Sequence, residues 1–286
     1  MIIVPFLCFG VPTPAHRPIF DDLVITGDAF RAFADHAFDE LDDPLIPERV
    51  MEGHAVFVKT DYLKQFFEEM HLRIPNRYIL ITHNSDDPIP GPFRSHLDDP
   101  KIIAWFGENA EETHSKLIPI PMGCANFNWP NGNQKYLKNV QEKRPPKQHL
   151  LHMALTIQTN YAERWPIFKQ LCGAPYCYRT IKKMYEGFLI DVASSAFEIA
   201  PRGIAWDTYR LWESLYVGTI PIVRTSPLDE LYSGLPVLIL DDWKEVTDDF
   251  LRQKEIEMRN QTYNLEKLSM EYWKKLINSY RDRYKD

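Results

Sequence analysis

The stretch Phe197-Glu198-Ile199-Ala200-Pro201-Arg202-Gly203-Ile204-Ala205-Trp206-Asp207-Thr208-Tyr209-Arg210-Leu211-Trp212-Glu213-Ser214-Leu215-Tyr216-Val217-Gly218-Thr219-Ile220-Pro221-Ile222-Val223 reads as strand, polar loop, helix, glycine stop and second strand. That rhythm belongs to a parallel α/β unit. Leu211 and Leu215 are four apart and should point into a core, while Arg210 and Glu213, three apart, share a polar face. In an open α/β sheet, ligands sit beyond the carboxyl ends of the strands, so the loop 201–207 and the first helical turns are where one would bind. Asp207 or Thr208 can cap the helix, whose unpaired N–H groups and dipole favour an anion such as phosphate. Arg202 and Arg210 carry fork-shaped donors suited to a diphosphate, and Glu213 can accept from paired ribose hydroxyls. An Arg210–Glu213 ion pair along the helix fits the same spacing.

Outward from that stretch, the second half repeats the pattern. A strand is expected at 150–155, a helix at 162–171, a strand at 196–200, a helix from Asp207, and strands at 219–223 and 237–240, which together read as doubly wound. In the first half, apolar runs at 55–58, 78–82, 102–106 and 117–120 read as buried strands, with a helical stretch at 60–67. The polar, proline-rich Lys143-Arg144-Pro145-Pro146-Lys147-Gln148 places a domain boundary at 143/144. The expected organisation is therefore an acceptor-side domain at 1–143, a donor-side domain at 144–262 and a terminal amphipathic helix at 263–286. Leu265, Leu268, Tyr272, Leu276 and Tyr280 line one face of that helix, which is expected to pack across the domain junction.

Composition narrows the function. The 286 residues, 44% of them hydrophobic, suffice for two packed cores. A net charge of −7 argues against a nucleic-acid partner, which would require a basic surface. Cys8, Cys124, Cys172 and Cys177 form no CxxC pair and no histidines stand at zinc-finger spacing, so these read as core thiols and no structural metal is expected. No run of about 20 apolar residues occurs, which points to a soluble chain without an integral membrane segment. The opening Met1-Ile2-Ile3-Val4-Pro5 lacks a basic residue before its apolar run and reads as a strand rather than a signal peptide, giving a cytoplasmic expectation. No Asp-x-Asp triplet is present to hold a cation against a diphosphate, so arginines and a helix terminus would stabilise such a group without metal. GxGxxG, GxxxxGK[ST] and GxSxG are likewise missing.

The ordered set Phe-x-Ile-x-Pro-Arg-Gly (197–203), Arg-Leu-Trp-Glu-Ser-Leu (210–215), Gly-Thr-Ile-Pro-Ile-Val (218–223) and Leu240-Asp241-Asp242-Trp243 resembles the donor-domain signature of exostosin-like glycosyltransferases. In the first half, Phe57-Val58-Lys59-Thr60-Asp61-Tyr62, Ile79-Leu80-Ile81-Thr82-His83-Asn84-Ser85-Asp86, Ile103-Ala104-Trp105-Phe106-Gly107-Glu108-Asn109 and Ile120-Pro121-Met122-Gly123-Cys124-Ala125-Asn126 resemble the branch that includes ribitol-linked xylosyltransferases. The resemblance covers most of 55–245. It implies two Rossmann-like domains facing across a cleft (the GT-B arrangement), a nucleotide-sugar donor, UDP-linked in the first instance, in the second domain, and a glycan or polyol acceptor in the first. It implies no cofactor. It puts Arg202, Arg210 and Glu213 at the donor site, with Thr156, Thr159 and Arg164 as a second phosphate contact; for these three an ordinary cap and surface arginine is the alternative.

An inverting transfer needs a group to take the acceptor's proton, and His83, Asp86 or Glu108 could serve; the competing reading of 84–86 is a turn before the prolines at 88–92. Trp105, Trp129 and Trp165 read as core packing rather than sugar platforms. A non-catalytic carbohydrate- or nucleotide-binding module that keeps the donor pocket is the alternative to an enzyme.

Overall fold

The computed structural model describes residues 4–5, 24–41, 45–181 and 183–282. The chain forms two compact α/β units, one comprising Ile25–Met122 and the segment from Ser269 onward, the other Gly123–Leu268. The earliest described strand, β1 (Val4–Pro5), pairs antiparallel with Thr262–Tyr263; the rest of the opening stretch, Cys8 included, lies outside the described residues.

In the first unit, α1 (Gly27–Phe33) precedes a five-stranded, wholly parallel sheet of β2 (His36–Phe38), β3 (Ala55–Lys59), β4 (Tyr78–His83), β5 (Ile102–Gly107) and β6 (Leu117–Pro119). Every residue of β4 and β5 is buried, which is why those runs are apolar except for Thr82 and His83 at the end of β4. Between β3 and β4 the expected helix at 60–67 forms as a composite run: a 3-10 turn, α2 (Leu63–Gln65), a π turn at Phe66–Met70 and a 3-10 turn at His71–Arg73. The five strands lie in sequence order, so this sheet has no reversal of strand order.

The second unit contains α3 (Gln134–Lys143), β7 (His149–Met153), α4 (Tyr161–Leu171), β8 (Cys177–Arg179), α5 (Tyr185–Ala193), β9 (Ser195–Ile199), α6 (Tyr209–Tyr216), β10 (Ile220–Arg224), α7 (Asp229–Tyr232), β11 (Leu238–Leu240), α8 (Asp248–Arg259) and β12 (Thr262–Tyr263). Its parallel sheet runs β11-β10-β9-β7-β8. The order reverses between β7 and β9, as in a flavodoxin-like doubly wound sheet. Leu151, Phe197, Ile199, Ile220 and Ile222 form its core with Ile167 of α4.

Two boundaries differ from the sequence reading. The units divide at Met122/Gly123, not 143/144, because α3 packs on α5 and α6 and Gln141 Nε2 donates to the Tyr216 carbonyl at 2.8 Å. The proline-rich link marks only the passage from helix to strand. The helix expected at 263–286 forms as α9 (Met270–Asp282) within the first unit, burying Trp273 and Ile277 and setting Tyr280 edge-on to Phe106 of β5 at 5.3 Å. Trp105 is fully buried, Trp165 is stacked beside Tyr161 and Phe168, but Trp129 is exposed, against expectation. Of the described cysteines only Cys124 is a core thiol; Cys172 is exposed and Cys177 half-buried. Among the described residues no helix is long and apolar enough to cross a membrane.

Candidate functional site

The reversal between β7 and β9 is a topological switch point, and a parallel sheet of this order is expected to take a ligand in the crevice beyond the carboxyl ends of those two strands. Arg164, on the first turn of α4, holds those loops together. Its Nε donates to the Arg202 carbonyl at 3.0 Å, Nη1 to the Thr156 carbonyl at 2.9 Å and to the Thr159 hydroxyl, and Nη2 to the Pro201 carbonyl at 3.2 Å. A side chain at Gly203 would press on Nη2, which accounts for glycine there. Asn160 caps α4 and ties the same loops through the Gly203 carbonyl, 2.9 Å away. Arg164 is thus buried with four of its five N–H donors in use; Thr156 and Thr159 serve it rather than standing open.

Arg210, on α6, is different. Its Nε lies 3.2 Å from Oε1 of Glu198, and its guanidinium sits 5.8 Å from the Phe188 ring centre. Among the described residues neither Nη group has a hydrogen-bond partner, and the side chain is 18% exposed. Burial first, and then the charge of Arg210, push Arg164 down to about 10, which still leaves the Arg164 guanidinium charged at neutral pH. Arg202 stacks over the Trp206 ring at 3.7 Å. Together with Glu163, Val223, Arg224, Ser226 and Tyr232, these two residues line a shallow hollow beside the crevice. Glu163 is spoken for: it pairs with Arg224 at 3.1 Å and accepts from Trp243 Nε1 at 2.7 Å.

Glu198 and His152 are functional candidates that sequence reasoning missed. They are register partners on β9 and β7, fully buried, with His152 Nδ1 donating to Glu198 Oε2 and Nε2 2.7 Å from the Thr180 hydroxyl. Their signal was available: each is a polar residue inside an apolar run, and a charge in that setting requires a partner. Through Glu198 this pair sets a buried carboxylate beside the Arg210 guanidinium, in an ion pair without hydrogen-bond geometry.

The rest of α6 faces inward. Asp207 is buried, accepting from the Thr208 N–H at 2.8 Å, from Trp212 Nε1 at 2.7 Å and from the Tyr232 hydroxyl at 3.2 Å. Thr208 occupies the N-cap position without a side-chain cap bond. Glu213 does not pair with Arg210 along the helix. It is buried, bonds Tyr185 and has an unpartnered Oε1; burial pushes its carboxyl up to about 7, while the Tyr185 bond and Arg210 oppose the shift. Leu211 and Leu215 are buried as expected.

In the first unit, His83 ends β4. Its Nδ1 accepts from the Asn84 N–H at 2.7 Å, leaving Nε2–H to donate to the Pro121 carbonyl at 3.1 Å. Burial holds the ring down to about 4, so it is neutral, and neither nitrogen is open to an acceptor hydroxyl. Glu108 is buried 3.2 Å from His83 Nδ1 and accepts from the Ser85 N–H at 2.8 Å. Both hold the 84–87 turn, in which Asn84 has a φ of 64° and the Ser85 hydroxyl accepts from the Asp87 N–H at 3.2 Å. Of the three base candidates only Asp86 is exposed, and burial, Asp87 and Asp61, in that order, raise its pKa.

Neither a protein-family model nor a curated protein matches the sequence, so the resemblance to exostosin-like transferases stands on its motifs. Among solved structures the chain is similar to an α,α-trehalose 6-phosphate synthase from Burkholderia multivorans (10% identity, 84% of this chain and 72% of that chain, TM-score 0.49). It is also similar to a UDP-forming α,α-trehalose-phosphate synthase from Burkholderia vietnamiensis (9%, 83% and 74%, 0.41). A third similarity is to the GtfA/B complex (13%, 81% and 58%, 0.40).

Proposed function

We propose that the chain is a glycosyltransferase of the GT-B type that binds a nucleoside-diphosphate sugar, UDP-linked in the first instance, at the carboxyl edge of the second sheet and transfers the sugar to a glycan or polyol hydroxyl. The observation that carries this reading is Arg210: a guanidinium paired with Glu198, close enough to Arg164 to lower its pKa, with two unpartnered Nη groups at a strand-order reversal. Such a cation is suited to the diphosphate that accumulates charge as the sugar leaves. Arg164 shapes the loops and adds positive charge. Arg202 and Trp206 offer a flat cationic surface beside them. With arginine charge in place and no Asp-x-Asp triplet, the diphosphate needs no divalent cation.

Calorimetric titration of UDP with and without EDTA tests the reading. Equal affinity in both, and weaker binding of UMP, is the expected result. Loss of UDP binding in EDTA contradicts the metal-independent mechanism.

One observation favours a second reading, a nucleotide-binding module without transferase activity. His83 and Glu108 are both committed to holding a turn, which leaves Asp86 as the one exposed candidate base among the three. Release of UDP from a UDP-sugar by the purified protein would eliminate that second reading.

A further inference from the structure

At the opposite, amino-terminal edge of the first sheet, three side chains from separate segments converge. His71 follows the π turn before β4, and His96 and Asp99 lie on the connection before β5. One potential ligand atom from each lies within 4.8 Å of the other two, and His71 Nε2 is already 3.1 Å from Asp99 Oδ2. We propose that His71, His96 and Asp99 form a zinc site that is structural and separate from the donor crevice.

The chemistry of the three groups fits. Two imidazoles and one carboxylate are a common zinc donor set, with bonds of about 2.0–2.1 Å and a fourth position for water. Tetrahedral bonds of that length put neighbouring ligand atoms about 3.3 Å apart. The His71–Asp99 pair already has that spacing, and a modest rotation of the half-buried His96 closes the third corner. The surroundings hold the rings. His71 Nδ1 is 2.8 Å from the Tyr78 hydroxyl, so Nε2 is the nitrogen directed at Asp99. That hydroxyl is the kind of outer partner that fixes a metal-binding histidine. His96 lies flat on Phe67, ring centres 3.7 Å apart at 5°. Two ammonium groups act against the ion: Lys116 Nζ donates to the Asp99 carbonyl at 2.8 Å, and Lys101 Nζ contacts the His71 carbonyl at 3.3 Å. Removing the Lys101 charge therefore strengthens binding. The ion would join the irregular helix before β4 to the connection before β5. The 24 residues between the two histidines hide the cluster from any local motif.

The test is titration of the full chain, first stripped with chelator, with zinc alone, followed by metal analysis and by the visible absorption of cobalt(II) as a tetrahedral probe. The expected result is one equivalent of zinc per chain, a higher Tm with zinc, and a tetrahedral cobalt spectrum. His96→Gln, at a half-buried position where the fold should survive, lowers affinity at least about 100-fold, since losing even an outer partner costs about 10–100-fold. Tyr78→Phe lowers affinity about tenfold, and Lys101→Met raises it. No zinc uptake by the wild-type chain overturns the site, and so does unchanged uptake by a folded His96→Gln variant, which would place the ion elsewhere, for instance at the His36–His54 pair. None of these readouts depends on nucleotide binding, so failure here leaves the donor-site reading intact.

Discussion

The carboxyl edges of the two sheets are built alike and charged oppositely. Both sheets are parallel and five-stranded. The second reverses its strand order and gathers Arg164, Arg202, Arg210 and Arg224 around the reversal. The first runs in sequence order, and its edge carries Asp86 and Asp87 on a turn held by His83 and Glu108, with Asp61, just after β3, accepting from the Ser85 hydroxyl. A polyanion is attracted to the first-named edge and repelled by the other, while neutral hydroxyls suit a carboxylate-bearing turn. Topology and charge therefore both favour the second unit for the proposed diphosphate.

The comparison breaks most severely at Glu198. Glu198→Ala leaves Arg210 without its buried partner and His152 without its acceptor, and should cost about 3–5 kcal/mol in urea unfolding. A loss near zero would mean that Arg210 is not held as described. Leu215→Ala, in the core face of α6, should cost about 2–5 kcal/mol by the same measurement without changing which nucleotides bind.

Glu213 gives a pH signature. Its folded pKa, about 7, lies above the ordinary 4.5, so the folded state binds the extra proton between those values. The stability it contributes is complete below about pH 4.5 and disappears as pH rises through about 7. Glu213→Gln should flatten that decline in Tm. His83 acts in the other direction: its folded value of about 4 lies below 6.5, so stability falls as pH drops through that window. An unchanged wild-type profile in Glu213→Gln would show that the carboxyl is not buried as found. The smallest effect belongs to Asp86→Asn, an exposed position on the opposite edge. It should alter stability and UDP affinity by no more than about 0.5 kcal/mol, and a marked change in UDP affinity would undo the division of roles.

The sequence disclosed the strands well for a physical reason. Parallel strands buried on both faces are almost continuously apolar, so β4, β5 and β10 stand out. Short or mixed elements did not: β8 has two half-buried residues and an exposed Arg179, and α5 carries Gly187 and a buried Asp191. The unit boundary was misread because composition changes at the end of α3, whereas packing changes earlier in the chain. At the site, the positions of Arg202 and Arg210 at a strand's carboxyl end were legible. That Arg164 spends its donors on carbonyls 37 and 38 residues away was not, because backbone acceptors leave no mark on residue identity. The pairing of His152 with Glu198 leaves a faint one, two polar residues in two apolar runs.

The proposed diphosphate site stands or falls on Arg210. The direct test is a thermal-shift and calorimetric comparison of UDP, GDP, CMP and several UDP-sugars on the wild-type chain and on Arg210→Ala, with unfolding checked for both. Selective stabilisation by one nucleoside diphosphate, weakened at least about tenfold in the folded variant, is the predicted result. Binding of that nucleotide with equal affinity by both chains, or no binding by the wild type, would contradict it.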